Sequence, residues 1–447
     1  MNPHQVSRRS FLRKSALTSL GVAAAAQARG QSSDPIWLTG NDKIDHPRKV
    51  AIDLLKPTQA QLERAWELHF DSLVFESYGF APRCAMDGDR IQAAVKAGAS
   101  HAELTDIREE TMMNRCATDD AEREEFLQAF RAAGVDCIFQ NAGQEGNDPM
   151  RLIKRLAHFT RLTDLMQPTV SKAVTAADVQ AAKDDGNIAL SFATNGVPLR
   201  MNWESVRDEL RYVRIFQELG VGMMHLTYNR RNPLGDGAGE PKDGGLSDFG
   251  HTAVAEMNRL GVIVDVAHSG WTTSLEAAKA STKPMVASHT TCQALNDHYR
   301  AKPDEVIKAI CDTDGLVGMC CISKFLGGDG DLNRLLDHID HMVKGFGAEH
   351  CAIGADVAYV SRNDGRERLK IGKLPNGSSP MSGRGDRWEH LWPAYDYSNS
   401  VEARESICWT NWPMFTLGMV VRGHSDEDIR KILGGNTLRV LKANAGA

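Results

Sequence analysis

The feature that most constrains this chain is a rhythm. Eight short apolar runs alternate with amphipathic stretches of helical period. The runs are 72–80 (SLVFESYGF), 135–143 (VDCIFQNAG), 187–195 (NIALSFATN), 221–229 (VGMMHLTYN), 261–269 (GVIVDVAHS), 284–289 (PMVASH), 315–323 (GLVGMCCIS) and 351–358 (CAIGADVA). Helices are predicted around 120–134, 150–165, 202–219, 248–260, 271–280, 303–313 and 331–346, with another near 58–69. Apolar residues fill the strands almost continuously, as parallel strands covered on both faces require. Eight strands alternating with helices predict an α/β chain closed into a (β/α)8 barrel. The runner-up, a doubly wound open sheet, would normally carry a glycine-rich nucleotide turn after an early strand, and none occurs.

The length of 447 residues suits one such barrel with insertions. A net charge of −6 points away from nucleic acid and anionic membranes, and 6% aromatic content argues against a base-stacking surface. At the N-terminus, Arg8 and Arg9 precede an apolar stretch and the small-x-small triplet Ala26-Gln27-Ala28. Residues 1–28 therefore read as a twin-arginine export signal, with a mature protein in the periplasm or secreted. The apolar part is too short for a stable membrane span. One domain is expected over 35–447, with a long Gly-, Ser-, Pro- and aromatic-rich loop at about 361–400 after the eighth strand. The nine cysteines are scattered, several inside apolar runs, and read as small buried hydrophobes.

In a barrel of this kind chemistry sits at the C-terminal ends of the strands. His268 and His289 end two successive strand runs, so both should reach the same rim. Two imidazoles on neighbouring strands can share one metal ion, zinc by donor type. The plainer reading is two unrelated histidines capping strands by hydrogen bonds. Asp356 ends the eighth run, where a carboxylate can ligate a metal or act as a general base.

Five segments carry a resemblance: VGMMHLTYNRRNPLGDG, GGLSDFGHTAVAEMNRLGVIVDVAHSG, KPMVASHTT, YRAKPDEVIKAI and DEDIRKILGGNTLRVL. In order, spacing and wording they resemble the membrane dipeptidase (renal dipeptidase, peptidase M19) family. The resemblance is nearly continuous over about 200–360 and resumes at 405–442. It implies a zinc-dependent (β/α)8 barrel of the metal-dependent amidohydrolase type that hydrolyses dipeptides with a water between two zinc ions. Carried over residue by residue, it makes His268 and His289 metal ligands. Asp356 becomes the residue that handles the catalytic proton, and Arg300 the receiver of the substrate carboxylate. Without the resemblance, Arg300 reads as an exposed loop arginine.

Other positions depart from the family pattern. Tyr78 and Phe80 stand where its first-strand His-x-Asp belongs, Thr194 or Ala193 where a bridging glutamate belongs, and Tyr228 where a histidine belongs. Phe80 cannot ligate, and threonine is a poor zinc ligand. The expectation is zinc at a reduced site of one ion rather than two, with a metal-free chain as the other outcome. His268, His289 and Asp356 would form a two-histidine, one-carboxylate set. Tyr78 and Tyr228 would contact substrate and donate to the developing oxyanion. Glu76 shares a strand face with Tyr78 and reads either as a helper or as a buried acid paired with an arginine. His225 is assigned to the opposite face from Tyr228 by strand alternation and read as structural. His338 and His341 share a helix face and read as packing or surface. His69 and Asp71 mimic His-x-Asp but precede the first strand, at the wrong end of the barrel. The implied partner is a small molecule such as a dipeptide, with no nucleic acid and no stable membrane span; a homodimer is a candidate assembly. The competing function is a non-catalytic periplasmic binding protein on a degenerate dipeptidase barrel.

Overall fold

The computed structural model describes residues 35–143, 148–373 and 399–445. The predicted export signal, 1–28, and most of the predicted loop at 361–400 lie outside the described residues. The chain divides into a short unit ending at Asp45 and a large one from His46 onward. In the short unit the Asp45 carboxylate accepts hydrogen bonds from the Thr39 and Gly40 amides.

All eight predicted runs contribute strands to the large unit. In chain order the strands are β1 (Phe75–Gly79), β2 (Cys137–Asn141), β3 (Val170–Lys172), β4 (Ile188–Thr194), β5 (Val221–His225), β6 (Ile263–Asp265), β7 (Val286–Thr290), β8 (Leu316–Met319) and β9 (Cys351–Ile353). The sheet runs β1-β2-β4-β5-β6-β7-β8-β9, and every pairing is parallel. The short β3, absent from the sequence reading, pairs only with β4 and stands outside that path. Each strand on the path sends a residue into one buried cluster: Phe75, Phe139, Ala189, Met223, Ile263, Val286, Leu316 and Ala352. This is the filled interior of a (β/α)8 barrel. Each large apolar side chain buried there contributes about 1.5–3 kcal/mol relative to exposure.

Local chemistry sets where the elements begin and end. Helix Asp248–Leu260 starts at Ser247, whose hydroxyl accepts from the Gly250 amide, and stops at Gly261. Gly261 has φ +75°, a left-handed position that glycine adopts at little steric cost, and it turns the chain into β6. The strands are shorter than the runs that predicted them. β6 ends at Asp265, so His268 sits three residues past the ladder, in a turn. All nine cysteines are free, and seven are buried, in keeping with their apolar surroundings. Among the described residues, no helix is long and apolar enough to cross a membrane.

At the seam between β1 and β9, Glu76 acts as a latch. One carboxylate oxygen accepts from the Ala355 amide at 3.1 Å and the other from the Trp409 indole at 2.8 Å. The side chain is fully buried, and burial pushes its pKa well above the usual carboxylate range against the pull of those two donors. Among the described residues no arginine pairs with it; an indole and an amide hold it instead. Glu76→Gln must place an amide donor against one of two donors. We expect a loss of about 1–3 kcal/mol, read as a lower midpoint in urea unfolding. An unchanged midpoint would show that the seam does not depend on this acid.

Candidate active site

The C-terminal ends of the strands open into a mouth where three histidines converge. His225 ends β5, His268 follows β6, and His289 lies in β7. The Nε2 atoms of His268 and His289 are 2.9 Å apart, and the His225 ring centre lies 5.3 Å from each of the other two. All three are buried. His268 Nδ1 meets Asn229 Oδ1 at 2.9 Å, an acceptor, so the proton is assigned to Nδ1 and Nε2 carries a lone pair. Arg300 Nη2 points at that lone pair from 3.2 Å. Burial, and then the Arg300 charge, hold both His268 and His289 well below the ordinary histidine pKa. Neutral imidazoles are the form that ligates metal.

Arg300 is held against the backbone below the cluster. Its guanidinium donates to the carbonyls of Ala267 and His289 and is 2% exposed. To receive a carboxylate, the role carried over from the resemblance, the fork would have to exchange these carbonyl contacts. The reading of a lone, exposed loop arginine fails.

Asp356 follows β9 with φ +54°, a left-handed conformation that aspartate tolerates better than most residues. Its Oδ2 lies 4.0 Å from His289 Nε2, and the side chain is 20% exposed. Burial raises its pKa to about 6, against the pull of Arg300, His225 and Arg83. The structure thus gathers His268, His289 and Asp356 in one place.

The substituted positions are filled by rings. Tyr78 stacks on His289 with centroids 3.9 Å apart and planes at 15°, and Tyr228 stacks on His268 at 4.1 Å and 21°. The Tyr78 hydroxyl donates to Asn195 Oδ1 at 2.5 Å and accepts from Asn141 Nδ2 at 2.6 Å. With its proton so engaged, it is not placed as an oxyanion donor. Thr194 turns its hydroxyl to the Gly196 carbonyl at 2.7 Å, away from any ligand role. His69 bonds to Thr416 and the Ala133 carbonyl, far from the mouth as expected. His338 accepts from the Cys292 amide and lies against the Leu326 carbonyl, and His341 meets Asp304, so both are structural.

Sequence reasoning missed two members of the cluster. His225 was assigned to the far face by alternation with Tyr228, but β5 ends at His225 and the alternation stops there. Both residues therefore reach the mouth. Asp265, an acid inside the apolar run 261–269, was a signal left unread. Its Oδ1 accepts from the Ala267 and Ser288 amides, and its Oδ2 lies 2.8 Å from His225 Nε2. Burial alone would raise its pKa, but His225 and the Ser288 donors outweigh it and hold the carboxyl below the usual range.

Above the cluster lies a cavity of about 500 Å³ lined by Tyr78, Tyr228, His268 and Asp356 at its floor. Phe80, Arg83, Arg108, Glu109, Arg155 and Arg368 are among its walls. The sequence model of the membrane dipeptidase family (peptidase family M19) matches residues 99–365, more than half of the chain. The chain belongs to the membrane dipeptidase family. The dipeptidase aclJ of Aspergillus oryzae (strain ATCC 42149 / RIB 40) is 28% identical over 235 residues, which are 51% of this chain and 46% of that one. The match thus spans about half of that relative's length. An amidohydrolase from Pseudomonas aeruginosa has the same fold, with a TM-score of 0.60, 24% identity, and coverage of 86% of this chain and 99% of its own. So does a metallo peptidase from Rhodobacter sphaeroides liganded with a phosphinate mimic of the dipeptide L-Ala-D-Ala, with a TM-score of 0.59, 17% identity, and coverage of 83% and 99%.

Members of a metallopeptidase family need a metal, and the donors here can be tested against one. His225, Asp265 and His289 each offer a ligand atom, all within 4.8 Å of one another. Both His225 ring nitrogens and Asp265 Oδ2 are buried without an aligned hydrogen bond, although Nε2 and Oδ2 are in close contact. Buried polar atoms left in this state ordinarily have a partner. Two imidazoles and a carboxylate are a catalytic zinc donor set, with His268 alongside as a further nitrogen. The residues present fit an ion.

The Tyr78 hydroxyl satisfies two buried amides at once. Tyr78→Phe should lower stability by about 1–3 kcal/mol, measured as a shift in the thermal midpoint. No shift would mean that Asn141 and Asn195 find other partners.

Proposed function

We propose that this chain is an exported metallohydrolase that cleaves a dipeptide or related small amide with a single metal ion. The observation that carries this reading is the convergence of His225, Asp265, His268, His289 and Asp356 beneath one cavity at the catalytic end of the barrel. His225, Asp265 and His289 would hold the ion, with zinc the class that suits the donors. When bound, such an ion supplies Lewis acidity and lowers the pKa of a coordinated water. Asp356, which lines the cavity, would take a proton from an attacking water and return it to the leaving amine. Tyr228 lines the same cavity and would contact the substrate. The small substrate agrees with the size of the cavity and with the dipeptide mimic held by the Rhodobacter relative. The paired arginines and small-residue triplet of 1–28 support export by the twin-arginine route to the periplasm. The barrel and its flanking helices would form one domain, and a homodimer is a candidate assembly.

Purified protein should carry about one equivalent of divalent metal per chain, by elemental analysis. His289→Ala should remove most of it and lower dipeptide hydrolysis, followed as amino-acid release, by about 100-fold or more. Metal-free protein with no cleavage across a broad dipeptide panel would sink the reading.

One observation favours a second reading, a non-catalytic binding protein on a degenerate barrel. Tyr78 covers His289, and Arg300 already points at the His268 lone pair. On that reading dipeptides raise the melting temperature of the chain, and they raise that of His289→Ala equally.

A further inference from the structure

The cavity has an imbalance of charge that the proposed reaction does not use. Among the described residues four arginines, Arg83, Arg108, Arg155 and Arg368, line it against two carboxylates, Glu109 and Asp356. Two of the four are engaged: Arg155 with Glu109 at 3.4 Å and with the Ala142 carbonyl, and Arg368 with Asp364. The other two are not. Among the described residues no carboxylate or carbonyl meets the guanidinium of Arg83 or Arg108. Arg83 lies instead over the Phe80 ring, 4.7 Å from its centre, which backs the fork without satisfying its donors. Burial, and then the crowding charges of Arg155 and Arg108, push the Arg83 pKa down, against the weaker pull of Glu109 and Asp356.

An anion relieves that crowding, and the planar guanidinium fork is suited to carboxylate. A neutral dipeptide brings one carboxylate and one ammonium and leaves the excess positive charge as it was. A second carboxylate on a side chain offsets it. Arg300, the residue expected to hold the peptide carboxylate, is bonded to backbone beneath the site. We propose that this cavity selects a small dicarboxylate of net charge −1, an acidic dipeptide, held through Arg83 and Arg108. The inference rests on the cavity being the substrate site of the proposed hydrolase.

Binding is read directly, by calorimetry on the full chain at low salt, with L-Ala-L-Glu, its neutral isostere L-Ala-L-Gln, and inorganic phosphate. L-Ala-L-Glu should bind about tenfold more tightly than L-Ala-L-Gln, the equivalent of one charge-assisted hydrogen bond. The preference should shrink several-fold in Arg108→Gln and in Arg83→Gln, and Arg83→Lys should restore only part of it. Because Arg108 is half-exposed, its variant keeps the test alive should Arg83→Gln fold poorly. Equal binding of the two peptides overturns the proposal. So does a preference that survives both glutamine variants, or phosphate binding as tightly as L-Ala-L-Glu. Turnover separates the two readings. A chain that binds L-Ala-L-Glu selectively but cleaves nothing keeps this inference and loses the hydrolase. A chain that binds and cleaves both peptides equally keeps the hydrolase and loses this inference.

Discussion

A buried guanidinium must find acceptors, and in this barrel Arg300 finds them in the backbone of the catalytic end. Its donors go to the Ala267 and His289 carbonyls, the residues just before and at the two histidines. The fork thereby fixes the turn after β6 against β7 and sets the mutual position of His268 and His289. Burial, and then its charge, keep both rings neutral, and its Nη2 also points at the His268 lone pair. Removing such a group from buried carbonyls is costly, so Arg300 behaves as part of the scaffold. The mutual position of His268 and His289 rests on it.

The aromatic substitutions belong to the same arrangement. Tyr78 and Tyr228 occupy places where family ligands belong, and each lies flat on a neutral imidazole. Offset stacking of this kind contributes about 0.5–1.5 kcal/mol beyond the area it buries. Asn141 and Asn195 then anchor the Tyr78 hydroxyl. Stacking and these hydrogen bonds make a packed wall on that side of the mouth.

The barrel was legible because continuous apolar runs and amphipathic helices are a strong periodic signal. Each of the eight runs became a strand, and His268, His289 and Asp356 could be placed at the rim from barrel polarity alone. β3 escaped because three residues on the edge of β4 have no period to read. His225 escaped for a subtler reason. Alternation holds only while the chain stays extended, and β5 ends at that residue. Arg83 and Arg108 were invisible because their significance lies in what does not face them, and pairing across a cavity leaves no mark in local sequence.

A metal ion and Arg300 compete for one lone pair. His268 Nε2 has a single acceptor site, because Nδ1 donates to Asn229. While Arg300 stays on its carbonyls, His268 can serve an ion only by giving up the contact with the guanidinium, and a dication beside an arginine is repelled. His225 and Asp265 carry no such conflict. They sit on β5 and β6, their unaligned atoms face each other, and the Asp265 charge offsets an ion directly. On the proposed reading a single metal would sit on the His225, Asp265 and His289 side of the mouth, where the Asp265 carboxylate offsets its charge, with His268 left as a neutral neighbour.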